Sequence, residues 1–311
     1  MLTRRATIAA LAAAPFVMTS GRSLAETPKA VRIGFQKNGS FLVAKLRGEI
    51  DRHFAEKGVE VEWREFTFGP PLVEALNVGA IDLGSVGDTP PIFAQAAKSK
   101  FVYAAAQNGT GAGIIVPKDS SIRAVPDLVG KRVAIPKGSV AHNITAAALE
   151  KAGFSFKDIT PVYLAPADAQ GAFRQGAVDA WTIWDPFFAV AEETVGAKLI
   201  ALATDIAPQY GFALASRDFA ERHGDTLAEV IDQISRAGAW ADQNRDKTAE
   251  LFAEATGTPL AAQRRAVARA GYKLRPLDET IVENQQKSAD RFYALGLIPA
   301  KIEVAEAVWR R

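Results

Sequence analysis

The sequence has 311 residues, 48% of them hydrophobic and 23% charged, with no cysteine and a formal net charge of +2. That length accommodates two α/β lobes, and the composition is that of a folded globular protein. Nothing in the charge balance suggests a nucleic-acid surface, which would need a basic face, and the lack of cysteine excludes disulfides, thiolate metal sites and a cysteine nucleophile.

The first 25 residues read as an export signal that is cleaved after Ala25. Thr3-Arg4-Arg5 is the charged start, Ala6 to Val17 an apolar stretch too short to span a bilayer, and Ser23-Leu24-Ala25 a small-residue cleavage site. The paired arginines resemble a twin-arginine signal. Ala6-Thr7-Ile8 lacks the phenylalanine that this pattern prefers, so Sec export stays open beside it. Arg4, Arg5 and Arg22 are the only charges there, and without them 34 basic residues face 35 acidic ones. No later segment is apolar for long enough to form a membrane helix.

Val31 to Phe35 is a predicted strand. Phe41 to Lys57 is a predicted helix with Leu42, Leu46, Ile50 and Phe54 on one face and Gly58 as its stop. Val59 to Phe66 alternates apolar and charged residues, a strand with one wetter face. Pro70-Pro71 opens a helix that Gly79 ends. Ile81 to Val86 is a short apolar strand and Gly87 a turn. Asp88 or Thr89 caps the next helix, with Pro90 and Pro91 in its first turn. Phe101 to Ala106 completes a β-α-β-α-β order, which implies a mainly parallel sheet.

Gly111 to Pro117 reads as a strand crossing to a second lobe of the same design. Helices are predicted at 125–130, 139–152, 166–175 and 186–195, and strands at 132–135, 160–164, 178–183 and 198–203. Tyr210 to Ser216 is the return crossing. Helices at 227–244, 246–256, 259–270, 278–295 and 300–310 follow as a cap on the first lobe. The expected division is 26–115 with 213–311 as one lobe and 116–212 as the other. Two lobes joined by two crossings suit hinge closure on a ligand.

An internal repeat supports this. The stretch from Glu74 through Gly79, Asp82 and Asp88 to Pro91 returns as Phe173 through Gly176, Asp179 and Asp185 to Pro186, with Gly79 and Gly176 97 residues apart. Lys37-Asn38-Gly39-Ser40 similarly resembles Lys137-Gly138-Ser139, whose serines are 99 apart. In both lobes a strand's carboxyl end meets a helix's amino end. Ligands collect at such points in open α/β sheets, and the free backbone N–H groups there favour an anion.

Several of these stretches closely resemble the aliphatic sulfonate-binding proteins of bacterial ABC importers, within a wider group of sulfonate, taurine and nitrate binders. They are Gly79 to Ala97, Pro166 to Phe173, Val178 to Pro186, Lys137 to Asn143, and Gln36-Lys37. The resemblance covers most of the chain after the signal and thins in the carboxyl-terminal helices. It implies a two-lobed periplasmic-binding-protein type II fold, with two mainly parallel sheets and a ligand cleft between lobes joined by two crossing strands. It implies a monomer in the periplasm that captures a small organic sulfonate and delivers it to an ABC transporter permease, with no cofactor and no chemical step. Taurine, nitrate or another small oxyanion remains an alternative ligand. An enzyme on the same scaffold, as in sulfinate desulfinases, is the runner-up class, although those relatives lean on cysteine. A sensor domain is a third.

The expected ligand-binding residues are Gln36, Ser40, Asp88, Thr89, Ser139, His142, Trp184 and Asp185. Thr89 and the N–H groups after it offer donors to a sulfonate, and Ser139 stands at a helix mouth with His142 one turn in. Trp184 would wall off an alkyl tail. Asp185 is either a cap or the partner of a ligand amine, which would point to taurine. Gln36, Ser40 and Lys37 follow the first strand, where Lys37 would balance the ligand's charge. His53, His142 and His223 are scattered at no metal-ligand spacing, so no metal site is expected.

Overall fold

In the computed structural model, residues 27–109 and 111–310 are described; the expected export signal lies outside them. The chain opens with strand β1 (Ala30–Phe35), helices α1 (Gly39–Arg47) and α2 (Glu49–Ala55), β2 (Glu60–Glu65), α3 (Gly69–Asn77), β3 (Leu83–Gly87), α4 (Thr89–Ala96) and β4 (Phe101–Asn108). It continues with β5 (Ala112–Val116), β6 (Arg132–Ile135), α5 (Val140–Lys151), β7 (Thr160–Tyr163), α6 (Pro166–Arg174), β8 (Ala180–Trp184), α7 (Phe187–Val195) and β9 (Lys198–Leu202). After the short α8 (Ala203–Ile206), β10 (Tyr210–Ser216) leads into α9 (Arg217–Arg222), α10 (Gly224–Gln243), α11 (Arg245–Thr256), α12 (Leu260–Arg269) and α13 (Glu279–Ala294).

The strands form two five-stranded sheets of the same topology, β2-β1-β3-β10-β4 and β7-β6-β8-β5-β9. In each, the first three strands are parallel, and the fourth runs antiparallel to both its neighbours. That antiparallel strand is the one arriving from the other half of the chain. β5 lies wholly in the second sheet and β10 wholly in the first, and α8 packs in the second lobe's core, so the crossings fall between β4 and β5 and between α8 and β10. The division expected at 115/116 and 212/213 falls inside these two strands.

The first sheet is covered on both faces. One core joins Val31, Ile33 and Leu83 to Phe41, Ile50 and Phe54 of α1–α2 and to Leu227, Val230 and Ile234 of α10. The other joins Leu72 and Leu76 of α3 and Ile92 of α4 to Ile281 and Phe292 of α13. The second lobe has its own core around Ile114, Val133, Ile144, Phe173 and Trp181. The helical cap also reaches across, because Ala262 and Ala266 of α12 pack on Ala189 of α7.

Two predicted helices differ from expectation. The helix expected over 41–57 is broken at Gly48, whose φ of 63° caps α1 before α2 starts at once. Leu42, Ile50 and Phe54 stay buried through the break, so the apolar face survives it. A glycine in mid-helix forfeits about 1 kcal/mol relative to alanine, which makes it the natural place for the interruption. The helix expected over 300–310 is only a single 3-10 turn at Val304–Ala307. β4 is an edge strand there, and its free polar groups attract extended chain. Val308 bridges to Tyr103 and Trp309 donates its N–H to the Tyr103 carbonyl, while Arg275 pairs with Ala106 on the same strand.

Candidate ligand-binding cleft

The carboxyl ends of β1, β3 and β4 face the carboxyl end of β8 and the amino end of α5. Between them lies an inner chamber of about 60 Å³. Gln36, Asn38, Ser85, Gly87, Gln107 and Tyr210 line it from the first lobe, and Ser139, Val140 and Trp184 from the second. Gly109 and Gln209, where the chain crosses, close its base and are joined by the Gly109 N–H to Gln209 carbonyl bond. A larger outer chamber of about 440 Å³ shares Gln36, Asn38 and Trp184 with the inner one. Phe66, Pro166, Phe187, Val190 and Pro259 make its wall largely apolar, and Lys37 pairs with Glu65 at 3.1 Å on its rim.

No residue lining the inner chamber is charged. Its polarity comes from neutral donors. Gln36 Nε2 donates to the Ser85 carbonyl, Asn38 Nδ2 to the Asp185 carbonyl across the cleft, and Gln209 Nε2 to the Ala207 carbonyl. Ser85 Oγ, Gln107 Nε2 and Trp184 Nε1 donate to no acceptor among the described residues. Tyr210 accepts from Asn284 and keeps its own O–H to give. The first amides of α5, at Val140 and Ala141, precede the helix's own hydrogen-bond ladder. Unspent acceptors are present as well, at Gln209 Oε1 and the Ser139 lone pairs, but free donors set at a helix amino end favour an anion without needing a cation.

Of the expected site residues, Gln36, Ser139 and Trp184 line the chamber and the other five lie behind its wall. Ser40 is fully buried and donates to Gln107 Oε1 at 2.6 Å. Thr89 Oγ1 donates to Asp88 Oδ1, so its hydroxyl is spent, and Pro90 and Pro91 bring no N–H to the mouth of α4. Asp88 does not cap α4 through its side chain. It crosses to the second lobe and accepts from Asn143 Nδ2 at 3.0 Å. Burial pushes the Asp88 carboxyl up to about 6, against the opposing hydrogen bonds of Thr89 and Asn143 and the charge of Arg291. His142 is enclosed by Phe93, Phe156, Tyr163 and Phe292, with Nδ1 accepting from the Gly138 N–H. Burial, with the charge of Lys137, pushes it down to about 4, so it is a neutral ring near pH 7. Asp185 accepts from the Ala189 N–H and lies 3.5 Å from Arg269. Burial pushes its carboxyl up to about 7, opposed chiefly by Arg269. Ser139 Oγ donates to the Pro136 carbonyl, which leaves only its lone pairs for a neighbour.

Residues 24–256 match the NMT1-like family. The chain belongs to that family. It is 38% identical over 305 residues to an Escherichia coli (strain K12) protein named as an aliphatic sulfonates-binding protein, covering 97% of this chain and 95% of that one. Among solved structures, the alkanesulfonate-binding protein SsuA from Xanthomonas axonopodis pv. citri, bound to MOPS, is 40% identical. The match covers 92% of this chain and all of that one, with a TM-score of 0.86. The periplasmic aliphatic sulphonate binding protein SsuA from Escherichia coli is 38% identical, with 91% and 93% covered and a TM-score of 0.83. The desulfurization enzyme DSZB, 14% identical at a TM-score of 0.66, shares the fold alone. The family's architecture is the two-lobed α/β fold of periplasmic binding proteins seen here.

Sequence reasoning missed Asn38, Ser85, Gln107, Gln209 and Tyr210 in the chamber. Asn38 and Ser85 were within reach, because both stand at or beside strand ends that the repeat had marked. Gln107 and Gln209 carry no signal in the sequence: they sit beside the crossings, outside the repeated motifs. A second set of residues joins the lobes. Arg291 of α13 donates to Asn143 Oδ1 at 2.9 Å and pairs with Glu150 of α5, while Arg265 and Arg269 of α12 pair with Glu193 and Glu192 of α7. These contacts tie the two lobes together beside the chamber.

Proposed function

We propose that this protein is an extracytoplasmic carrier that holds a small organic sulfonate between its lobes and delivers it to the permease of an ABC importer. The observation that carries the reading is the pairing of two chambers. An uncharged inner one with unspent donors adjoins a larger, mostly apolar outer one, with Gln36, Asn38 and Trp184 lining both. A sulfonate head has three acceptor oxygens and no donor, which suits the first, and an organic tail suits the second. The relatives named for sulfonate binding support the same ligand class. Cleavage after Ala25, residence in the periplasm and action as a monomer belong to this reading.

Two competing ligands and one competing activity fit less well. Taurine would need a carboxylate facing its amine; Asp185 holds Arg269 and the Ala189 N–H on Oδ1 and leaves Oδ2 without a partner, but it lines neither chamber. Nitrate would leave the outer chamber without a purpose. For an enzyme, Ser139 and His142 are the candidate nucleophile and base, but Ser139 Oγ is bound to the Pro136 carbonyl and His142 Nδ1 to the Gly138 N–H. We therefore read the protein as a binder and not a catalyst.

The test is a titration followed by Trp184-dependent fluorescence and calorimetry, using 1-butanesulfonate, taurine, nitrate and sulfate in turn. A saturable response strongest for butanesulfonate is expected. Tighter binding of taurine would transfer the reading to aminosulfonates, and no response to any of the four would overturn it.

A further inference from the structure

Gln107 lies near the end of β4 and lines the inner chamber while only 6% exposed. Behind it stands Ser40, fully buried in the first turn of α1, with Oγ 2.6 Å from Gln107 Oε1. That separation suits an O–H donor on a carbonyl oxygen and is short for an amide N–H on a hydroxyl. The amide is therefore oriented with Oε1 toward Ser40 and Nε2 away from it. Ser40 Oγ has no other partner among the described residues. Turning the amide over would leave the buried Ser40 O–H without an acceptor, a costly state. The space around the side chain is also confined. Gly211 pairs with Gln107 in the β10–β4 ladder, and a side-chain carbon there would come within 3.1 Å of Gln107 Cγ and 3.2 Å of Nε2. Gln36, Asn38 and Gln209 each spend an amide hydrogen on a backbone carbonyl, whereas Gln107 keeps both of its own.

We propose that Ser40 is a positioning residue that locks the Gln107 amide so that it offers the chamber donors only, which selects a ligand head made of acceptor oxygens. An unpinned glutamine amide presents either its oxygen or its nitrogen, and so would serve an ammonium head as readily as an oxyanion. Ser40 removes that choice. The inference rests on the chamber being the ligand site and adds to it a reason why Ser40 matters without touching the ligand.

The experiment is a double-mutant cycle on the full protein, read by calorimetry with 1-butanesulfonate at pH 7.5. Gln107→Met, which keeps the volume and removes the donors, should weaken binding about tenfold or more, and Ser40→Ala on the order of fivefold. The double variant should bind no worse than Gln107→Met, because nothing is left to position. An equal loss from Ser40→Ala in both backgrounds, or no loss in the wild-type background, overturns the proposal. Gln107→Glu supplies a second arm should Ser40→Ala fail to fold. It retains an acceptor for Ser40 and places a carboxylate oxygen where Nε2 stood, so binding should fall by about a hundredfold or more; unchanged affinity would mean that Nε2 does not face the ligand. If the wild type binds nitrate or sulfate and not butanesulfonate, the sulfonate reading falls, and the same cycle run with that anion decides the role of Ser40. If it binds none of the three, both fall together.

Discussion

The two lobes share one device where their strands begin and differ where those strands end. In the first lobe, Asp82 accepts from the backbone N–H, Nε and Nη2 of Arg32, and Arg32 Nη1 reaches the Gly79 carbonyl. In the second, Asp179 accepts from the same three groups of Arg132, and Arg132 reaches the Gly176 carbonyl. Each clamp ties the start of one strand to the turn before its neighbour, at the opposite end of the strands from the chamber. Five residues on, the equivalent positions are Gly87 and Trp184, then Asp88 and Asp185. Gly87 lets α5 approach, since a side-chain carbon there would sit 3.3 Å from Val140 Cβ, while Trp184 fills the boundary between the chambers. Asp88 reaches Asn143 across the cleft, and Asp185 meets Arg269 of the cap. The repeat thus builds two like scaffolds, and the chamber lies where the scaffolds differ.

The strongest way to break that comparison is to remove the asymmetric aromatic. Trp184→Ala should cost about 3–5 kcal/mol in urea unfolding and abolish the ligand response, because it empties a packed boundary as well as the chamber wall. A variant that binds normally would show that Trp184 is scaffold after all. The clamps should prove similar in kind and unequal in size. Asp82→Ala should destabilise by about 2–3 kcal/mol, and Asp179→Ala by less, since the Asp82 side chain is 9% exposed and that of Asp179 31%. Neither should change sulfonate affinity; a change would place the clamps in the site.

His142 sharpens the comparison through pH, because its aromatic enclosure draws on both lobes. Its folded pKa of about 4 lies below the ordinary value of 6.5. Its contribution to stability is therefore present above pH 6.5 and lost as pH falls toward 4. Asp88 and Asp185, raised to about 6 and about 7, act in the opposite sense. Their contribution is full below the unfolded carboxylate range and is lost as pH rises through those values. In His142→Asn only the first effect is removed. The stability gap between wild type and variant should narrow by about 2 kcal/mol between pH 7 and pH 4, and a gap constant with pH would place the ring in solvent. The smallest effect is expected at Gly87→Ala. Pressing on Val140 should weaken butanesulfonate binding by about threefold while changing stability by less than about 1 kcal/mol.

Most of the strand and helix order was legible, because burial writes a period of two or about 3.6 into neighbouring residues. The repeat of Gly79-x-x-Asp82 as Gly176-x-x-Asp179 was legible too, but its meaning was not. Spacing alone does not distinguish an aspartate that clamps a strand from one that meets a ligand. The break at Gly48 was hidden by an apolar face that runs straight through it. The carboxyl-terminal segment past residue 300 carried a helical composition that the open edge of β4 overrode. Of the chamber's lining, Trp184, Gln36 and Ser139 could be named from strand and helix ends, whereas Asp88 and Thr89 stood at an equally promising end and turned inward to each other.

By itself the sequence determined that the chain makes two α/β lobes with strand ends and helix starts meeting between them, since hydrophobic period, turn glycines and first-turn prolines act within a few residues. Only the tertiary structure decided which polar groups face the chamber unspent. Whether Gln107 Nε2 or Thr89 Oγ1 has a donor to give depends on partners up to 67 residues away. A hydrogen-bonding group is free only after every neighbour that could satisfy it has been put in place.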